Sequence, residues 1–414
     1  MYLNEFTTPR AVPQYGKAIA PGKHCPLFGI GAVLRGIDHI TLIYLGTQDC
    51  VYYAKKEMLD SCRAGSSRIL AVQLSDSDLI FGIRPQLEKL LEQEALREDT
   101  RAVFLVTSCS VEVISEDLKS VAELAERRTG KKVVLIPSEN FKTFSYFRGM
   151  ETALAALTAC IRPGTPRAKS FAVLGPRHPG AEGSEPVRFL LERGWTLQSV
   201  LPFAASMERI ENLSTAEFTL VLDGTGLETA RTLERNFGIP FVRFDEKLNL
   251  SKITAGWKKL AALTGEPLDD WIAGQVSELE AAREALRPSL TGKTFFYSQV
   301  ILYPFETCLF LAELGMRPAV IFLGSVIDQD ETCRKALAAR CNPRMLQNAS
   351  GIAVEAMLDE APPDYFIGAV GRVIQNYPVI HVNLRTRPVE AVVSQATRPR
   401  GSLARMASST ASEI

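Results

Sequence analysis

Cysteine is the residue type in this chain whose placement could do chemistry. Cys50 lies a few residues past the apolar run Ile40-Thr41-Leu42-Ile43-Tyr44-Leu45, where the pattern turns helical. Cys109 lies three residues past Ala102-Val103-Phe104-Leu105-Val106, again just before a helical stretch. If both runs are strands of one parallel sheet, both thiols emerge at its C-terminal edge, where open α/β sheets place ligands. Cys25, in Lys23-His24-Cys25-Pro26-Leu27, also precedes a helix. Amides at a helix start lower a thiol pKa and favour thiolate, the form that ligates metal. Three thiols of depressed pKa could therefore meet at one place. The intervals of 25 and 59 residues are too wide for a zinc ribbon or a bacterial ferredoxin run. On spacing alone, three unrelated buried thiols remain the default reading.

Eight cysteines in 414 residues are too sparse for a disulfide scaffold, and four histidines are few for a multi-histidine centre. Cys62, at a helix end, reads as a structural thiol. Cys308 falls inside an apolar helix, Pro304 to Leu314, and reads as core. Cys333 and Cys341 receive no role. Forty-seven Lys and Arg balance 47 Asp and Glu, so no net charge draws the chain to nucleic acid or an anionic membrane. No apolar run approaches the length of about 18 residues that a membrane span needs. The first residues lack the basic segment and apolar core of a secretory signal. A soluble, cytoplasmic protein is expected.

The elements that must position the thiols follow from apolar periodicity. From about residue 20 to 162, strands are predicted at Ile40–Leu45, Ile69–Gln73, Ala102–Val106 and Lys132–Pro137. Helices are predicted at Phe28–Arg35, Val51–Leu59, Ile83–Leu96 and Glu112–Arg128. Short solid apolar runs alternating with helices predict a parallel sheet covered on both faces. Pro163-Gly164-Thr165-Pro166 reads as a linker, and the rhythm restarts with strands at Ser170–Leu174, Thr196–Leu201, Phe218–Leu222 and Pro240–Val242. A mostly helical stretch over 251–289 leads to a third round, with strands at Thr294–Ser298, Ala319–Leu323, Tyr365–Ile367 and Pro378–Ile380. The predicted fold is α/β, three consecutive Rossmann-like units with mostly parallel sheets. They divide at 1–165, 166–290 and 291–392, with a disordered tail over 393–414.

The wording around the thiols carries more than their spacing. His24-Cys25-Pro26-Leu27-Phe28-Gly29, Leu45-Gly46-Thr47-Gln48-Asp49-Cys50 and Thr107-Ser108-Cys109-Ser110-Val111-Glu112-Val113-Ile114-Ser115-Glu116-Asp117-Leu118 resemble the component 1 family of nitrogenase and nitrogenase-like enzymes. The likeness is nearest to the beta-type subunit and to its paralogue in the cofactor-assembly scaffold. Asp78-Leu79-Ile80-Phe81-Gly82, Arg148-Gly149-Met150-Glu151, Asn236-Phe237-Gly238-Ile239-Pro240 and Leu311-Ala312-Glu313-Leu314-Gly315-Met316-Arg317-Pro318 extend it over residues 20–392.

The resemblance implies that Cys25, Cys50 and Cys109 hold an iron–sulfur cluster, either 8Fe-7S and P-cluster-like or 4Fe-4S. Three thiolates leave such a cluster short of ligands, so it would be shared with a homologous alpha-type catalytic subunit. An ATP-dependent iron protein as electron donor and a heterotetramer are implied as well. No phosphate loop is present in this chain. Thr291-Gly292-Lys293-Thr294 ends like one, but the leading glycine would fall on Arg287, and Gly29-Ile30-Gly31 is followed by Gly36 two residues late.

The family's catalytic subunit holds its cofactor through a middle-domain cysteine and a third-domain histidine. Here no cysteine lies between Cys160 and Cys308, His178 sits in a loop, and His381 reads as a strand residue. The resemblance therefore implies an electron-transferring subunit whose partner holds the reducing site. The chain ends soon after Asn383-Leu384-Arg385-Thr386-Arg387-Pro388, without the Gly-rich turn and aromatic–Asp–Arg run expected there. That directs the likeness away from dinitrogen, towards the methylthio-alkane reductases, which cleave carbon–sulfur bonds. A scaffold for assembling a metal cofactor is the alternative function. Gln48 and Ser110 flank ligand positions and read either as hydrogen-bond donors to cluster sulfurs or as loop caps.

Overall fold

The structure, a computed structural model, describes residues 2–5, 25–59, 67–114, 116–138, 145–176, 179–203, 205–298, 303–323, 330–347, 351–360, 362–367 and 379–380. The chain forms two compact units, residues 20–246 and residues 1–19 with 247–414. The expectations for Cys62, His178, His381 and the tail lie outside the described residues.

In residues 20–246 the first round is α1 (Pro26–Leu34), β1 (Ile40–Gly46), α2 (Gln48–Leu59), β2 (Arg68–Gln73), α3 (Asp76–Phe81), α4 (Arg84–Ala95), β3 (Ala102–Thr107), α5 (Cys109–Ile114), α6 (Leu118–Thr129), β4 (Lys132–Pro137) and α7 (Tyr146–Leu157). The second round is β5 (Ser170–Leu174), α8 (Glu185–Glu192), β6 (Thr196–Leu201), α9 (Met207–Glu211), β7 (Phe218–Val221), α10 (Leu227–Phe237) and β8 (Phe241–Arg243). Each round builds a four-stranded parallel sheet, ordered β2-β1-β3-β4 and β6-β5-β7-β8. The direction of winding reverses between β1 and β3, and again between β5 and β7, which opens a crevice beyond the strand ends.

The solid apolar strands are explained by cover on both faces. Leu42, Tyr44, Phe104 and Val106 pack with residues of α1 and α7, while Ile43, Leu45, Val103 and Leu105 pack with those of α4 and α6. The core on the α1/α7 side runs on into the second sheet through Ala172, Leu174, Leu201 and Val221. This continuity places the Pro163–Pro166 stretch inside one compact unit.

Polar contacts reinforce the join. Arg101 forks onto the buried Glu211 (3.1 and 2.5 Å), and Arg162 reaches the same carboxylate at 3.2 Å. Asp38 accepts the Met207 amide at 3.0 Å. Hydrogen bonds to a buried charge contribute about 1.5–3 kcal/mol. Glu211→Gln is therefore expected to lower the urea midpoint by an amount equivalent to about 1.5–3 kcal/mol, with an unchanged slope.

The single helix predicted at Glu112–Arg128 is two helices. Asp117 caps α6 by accepting the Ser120 amide at 3.1 Å, and the Leu118 amide turns back to the Glu116 carbonyl at 2.8 Å. Capping by Asp competes with helix continuation.

Residues 1–19 with 247–414 hold a short turn at Leu3–Glu5, then α11 (Leu250–Thr264), α12 (Asp269–Leu290), β9 (Thr294–Ser298), α13 (Pro304–Glu313), β10 (Arg317–Leu323), α14 (Glu331–Ala338), β11 (Arg344–Gln347), α15 (Gly351–Glu360), β12 (Tyr365–Ile367) and β13 (Val379–Ile380). The sheet is parallel and ordered β11-β10-β9-β12-β13. Together with the other two sheets it gives the α/β architecture of three mostly parallel sheets. The helical stretch over 251–289 is a pair of helices, broken where Gly265 adopts φ 72°. Strand β11, with Arg344 and Gln347 at its ends, carries too weak an apolar signal to be predicted. Cys308 is fully buried in α13, as expected of a core residue. Thr291–Lys293 leads from a helix into strand β9, the reverse of a phosphate loop. Among the described residues, no helix is long and apolar enough to cross a membrane.

Candidate metal centre

All three expected thiols stand at the C-terminal edge of the first sheet. Leu45 pairs with Thr107 and Gly46 with Gln73, so β1, β2 and β3 end level. Past that line the Ser108 amide still donates to the Leu45 carbonyl at 2.9 Å, and Cys109 opens α5. Cys50 is the third residue of α2, whose Val51 amide bonds the Thr47 carbonyl at 3.1 Å. Cys25 is the N-cap residue of α1, with extended backbone (φ −86°, ψ 128°) and Pro26 setting the first turn. Each thiol is half-buried.

The pKa expectation needs correcting. Burial pushes the Cys25 thiol up to about 11, helped by negative charge on Cys50, Cys109 and Glu112, while the Leu27 amide pulls the other way. Cys109 is raised too, by burial first, then by Cys50 and Glu112, against the amides of Cys109 and Ser110. The helix-start amides act in the predicted direction, but desolvation and mutual repulsion outweigh them. Both shifts favour the protonated thiol. The same repulsion shows that the thiols share one electrostatic neighbourhood. Among the described residues, no three His, Cys, Asp or Glu side chains converge tightly enough to hold a metal ion.

Two glycines set the approach of the elements. A Cβ at Gly149 in α7 would overlap the Pro26 carbonyl oxygen, and one at Gly29 would overlap that of Tyr146. The helix that carries Cys25 at its start is thus seated backbone to backbone on α7. Overpacking a tight site costs about 1–3 kcal/mol. Gly149→Ala is expected to lower stability by about that amount in urea unfolding. A Cβ at Gly46 would come 2.7 Å from the Ser108 Cβ and 3.7 Å from the Cys50 Cβ, so the strand end is equally close-fitted.

Ser110, read as a loop cap or a donor to cluster sulfurs, bonds the Ser108 hydroxyl at 2.8 Å from the first turn of α5. The residues of an apolar rim were not named by the sequence reading. Exposed apolar side chains crowd the elements at this edge: Tyr52 and Tyr53 after Cys50, Ile80 and Phe81 at the end of α3, Val113 and Ile114 after Cys109. Phe81 is 84% exposed and Val113 70%. Their signal was available as apolar residues out of phase with the buried helix faces.

The chain matches the family described as nitrogenase component 1 type oxidoreductase over residues 25–378. The nitrogenase molybdenum-iron protein alpha chain of Methanosarcina barkeri is 24% identical over 301 residues, 67% of this chain and 55% of that protein. The nitrogenase iron-molybdenum cofactor biosynthesis protein NifE of Methanococcus maripaludis is 20% identical over 376 residues, 86% of this chain and 77% of that protein. The chain spans about half the length of the alpha chains it matches, 55% for M. barkeri and 44% for Clostridium pasteurianum. A solved structure of nitrogenase Cp1 at pH 5 shares the fold, with a TM-score of 0.59 at 18% identity over 91% of this chain and 86% of that one. The matched span opens at Cys25 and takes in the strands of all three sheets up to β12. The chain belongs to the nitrogenase component 1 type oxidoreductases.

Proposed function

We propose that this chain is the beta-type, electron-transferring subunit of a nitrogenase-like reductase, with Cys25, Cys50 and Cys109 as its ligands to an interfacial iron–sulfur cluster. The observation that carries the reading is three soft donors on one sheet edge, ringed by exposed apolar side chains. Thiolates are the donors that iron–sulfur clusters take, and in a polynuclear cluster different irons take different thiolates. Bound there, the cluster would supply one-electron transfer. The apolar rim fits a partner face, because a monomer gains nothing from exposing it.

The partner in this reading is a homologous alpha-type subunit that completes the ligation and holds the reducing site. Electrons arrive from an ATP-dependent iron protein, and two heterodimers associate as a heterotetramer in the cytoplasm. The lack of any cysteine between Cys160 and Cys308 supports giving catalysis to the partner. Carbon–sulfur bond reduction is the favoured activity. A scaffold for cofactor assembly is the second reading, favoured by the match to NifE, which covers more of both chains than the alpha-chain matches do. Turnover of the purified complex with the iron protein, ATP, dithionite as electron source and a methylthio-alkane separates them. Thiol and alkane products support the reductase. No product, with a cofactor that transfers to an apo-reductase, supports the scaffold.

A further inference from the structure

One acidic side chain is held beside the thiols by donors from two strand ends. Glu112 lies three residues after Cys109 in α5. Its Oε1 accepts the Thr107 hydroxyl at 2.8 Å and the Ser138 amide at 2.7 Å, with the Ser138 hydroxyl at 3.4 Å. Thr107 closes β3 and Ser138 directly follows β4, so the carboxylate ties α5 to the sheet edge on which Cys109 stands. These bonds to the strand ends all fall on Oε1, where a glutamine carbonyl could accept them, whereas the carboxylate also carries charge. Its field reaches both Cys25 and Cys109, where it works with burial to hold the thiol protons. The carboxylate adds negative charge near two of the prospective ligands, and charge-assisted hydrogen bonds hold it in place.

We propose that Glu112 is a positioning residue for the redox group held by Cys25, Cys50 and Cys109: it braces the β3–α5 turn and places a carboxylate whose charge lowers the group's reduction potential. The inference rests on the ligand reading above. A negative charge stabilises the oxidised, more positive state of a nearby redox centre, and net charge and hydrogen bonding are among the factors that tune iron–sulfur potentials.

The test is an anaerobic, EPR-monitored redox titration of the full chain co-purified with its partner, with iron quantified in each sample. Wild type, Glu112→Gln and Thr107→Val are compared. Glu112→Gln keeps the acceptor and removes the charge; Thr107→Val keeps the charge and removes one donor. The expected result is that Glu112→Gln retains iron while its midpoint rises. The rise should be at least the tenfold change in reduced-to-oxidised ratio that corresponds to about 59 mV for one electron. Thr107→Val should stay near the wild-type midpoint. An unmoved midpoint in iron-loaded Glu112→Gln overturns the proposal, as does an equal shift in Thr107→Val. If Glu112→Gln holds no iron, Glu112→Asp decides: iron regained at the wild-type midpoint supports the role of charge, and loss there too overturns it. A wild-type complex without iron sinks the ligand reading itself, which keeps the two failures distinct.

Discussion

Iron content is expected to fall at least tenfold in Cys50→Ala or Cys109→Ala and to stay at the wild-type level in Cys160→Ala and Cys308→Ala. Changes in the outer shell of a metal site cost about 10–100-fold in affinity, and loss of a ligand costs at least as much. Cys50 and Cys109 stand beyond the level ends of β1 and β3, half-buried and within each other's field. Cys160 lies in the shared core between the first two sheets, where burial pushes its thiol up to about 12. Cys308 is wholly buried in α13 among aromatic and aliphatic side chains. Neither environment favours a thiolate. The readout is iron per chain by anaerobic colorimetric assay, with a urea titration of each variant to confirm folding. Equal iron in all four variants would sink the ligand set.

The second large effect concerns assembly. Expressed alone, the chain is expected to be cluster-poor and to aggregate or dimerise loosely. Three thiolates do not complete a cluster's ligation, and Tyr52, Ile80, Phe81 and Val113 are 60–84% exposed around them. Co-expression with a homologous, cysteine-bearing partner should yield a brown, stable heteromer. Part of that stability is linkage, since a group bound only in the assembled state stabilises it by mass action. Size exclusion with iron quantitation checks this. A monodisperse homodimer of the single chain with full iron and reductase activity would refute the subunit assignment while leaving the three ligands standing.

Much of the fold was legible in the sequence, and for a definable reason. Strands buried on both faces, such as Ile40–Leu45 and Ala102–Val106, appear as unbroken apolar runs, and helix-length stretches between them leave a parallel sheet as the solution. The level ends of β1 and β3, and with them the shared edge of Cys50 and Cys109, follow from that topology. Less legible were effects that depend on distance in space. The raised Cys25 and Cys109 pKa values come from burial and from neighbours far away in the chain, Glu112 acting on Cys25 among them. Glu112 stood in plain view within the Cys109 segment, yet its bond to Ser138 crosses from one strand end to another. The break before α6 turned on a single cap, Asp117, and the strand β11 on four residues with little apolar periodicity.

The decisive measurement is iron and acid-labile sulfide in the complex, purified anaerobically with its partner. The predicted result is that both are present in the wild-type complex and are lost together on Cys109→Ala. A colourless wild-type complex free of iron and sulfide, with Cys25, Cys50 and Cys109 all open to a thiol reagent, would contradict it.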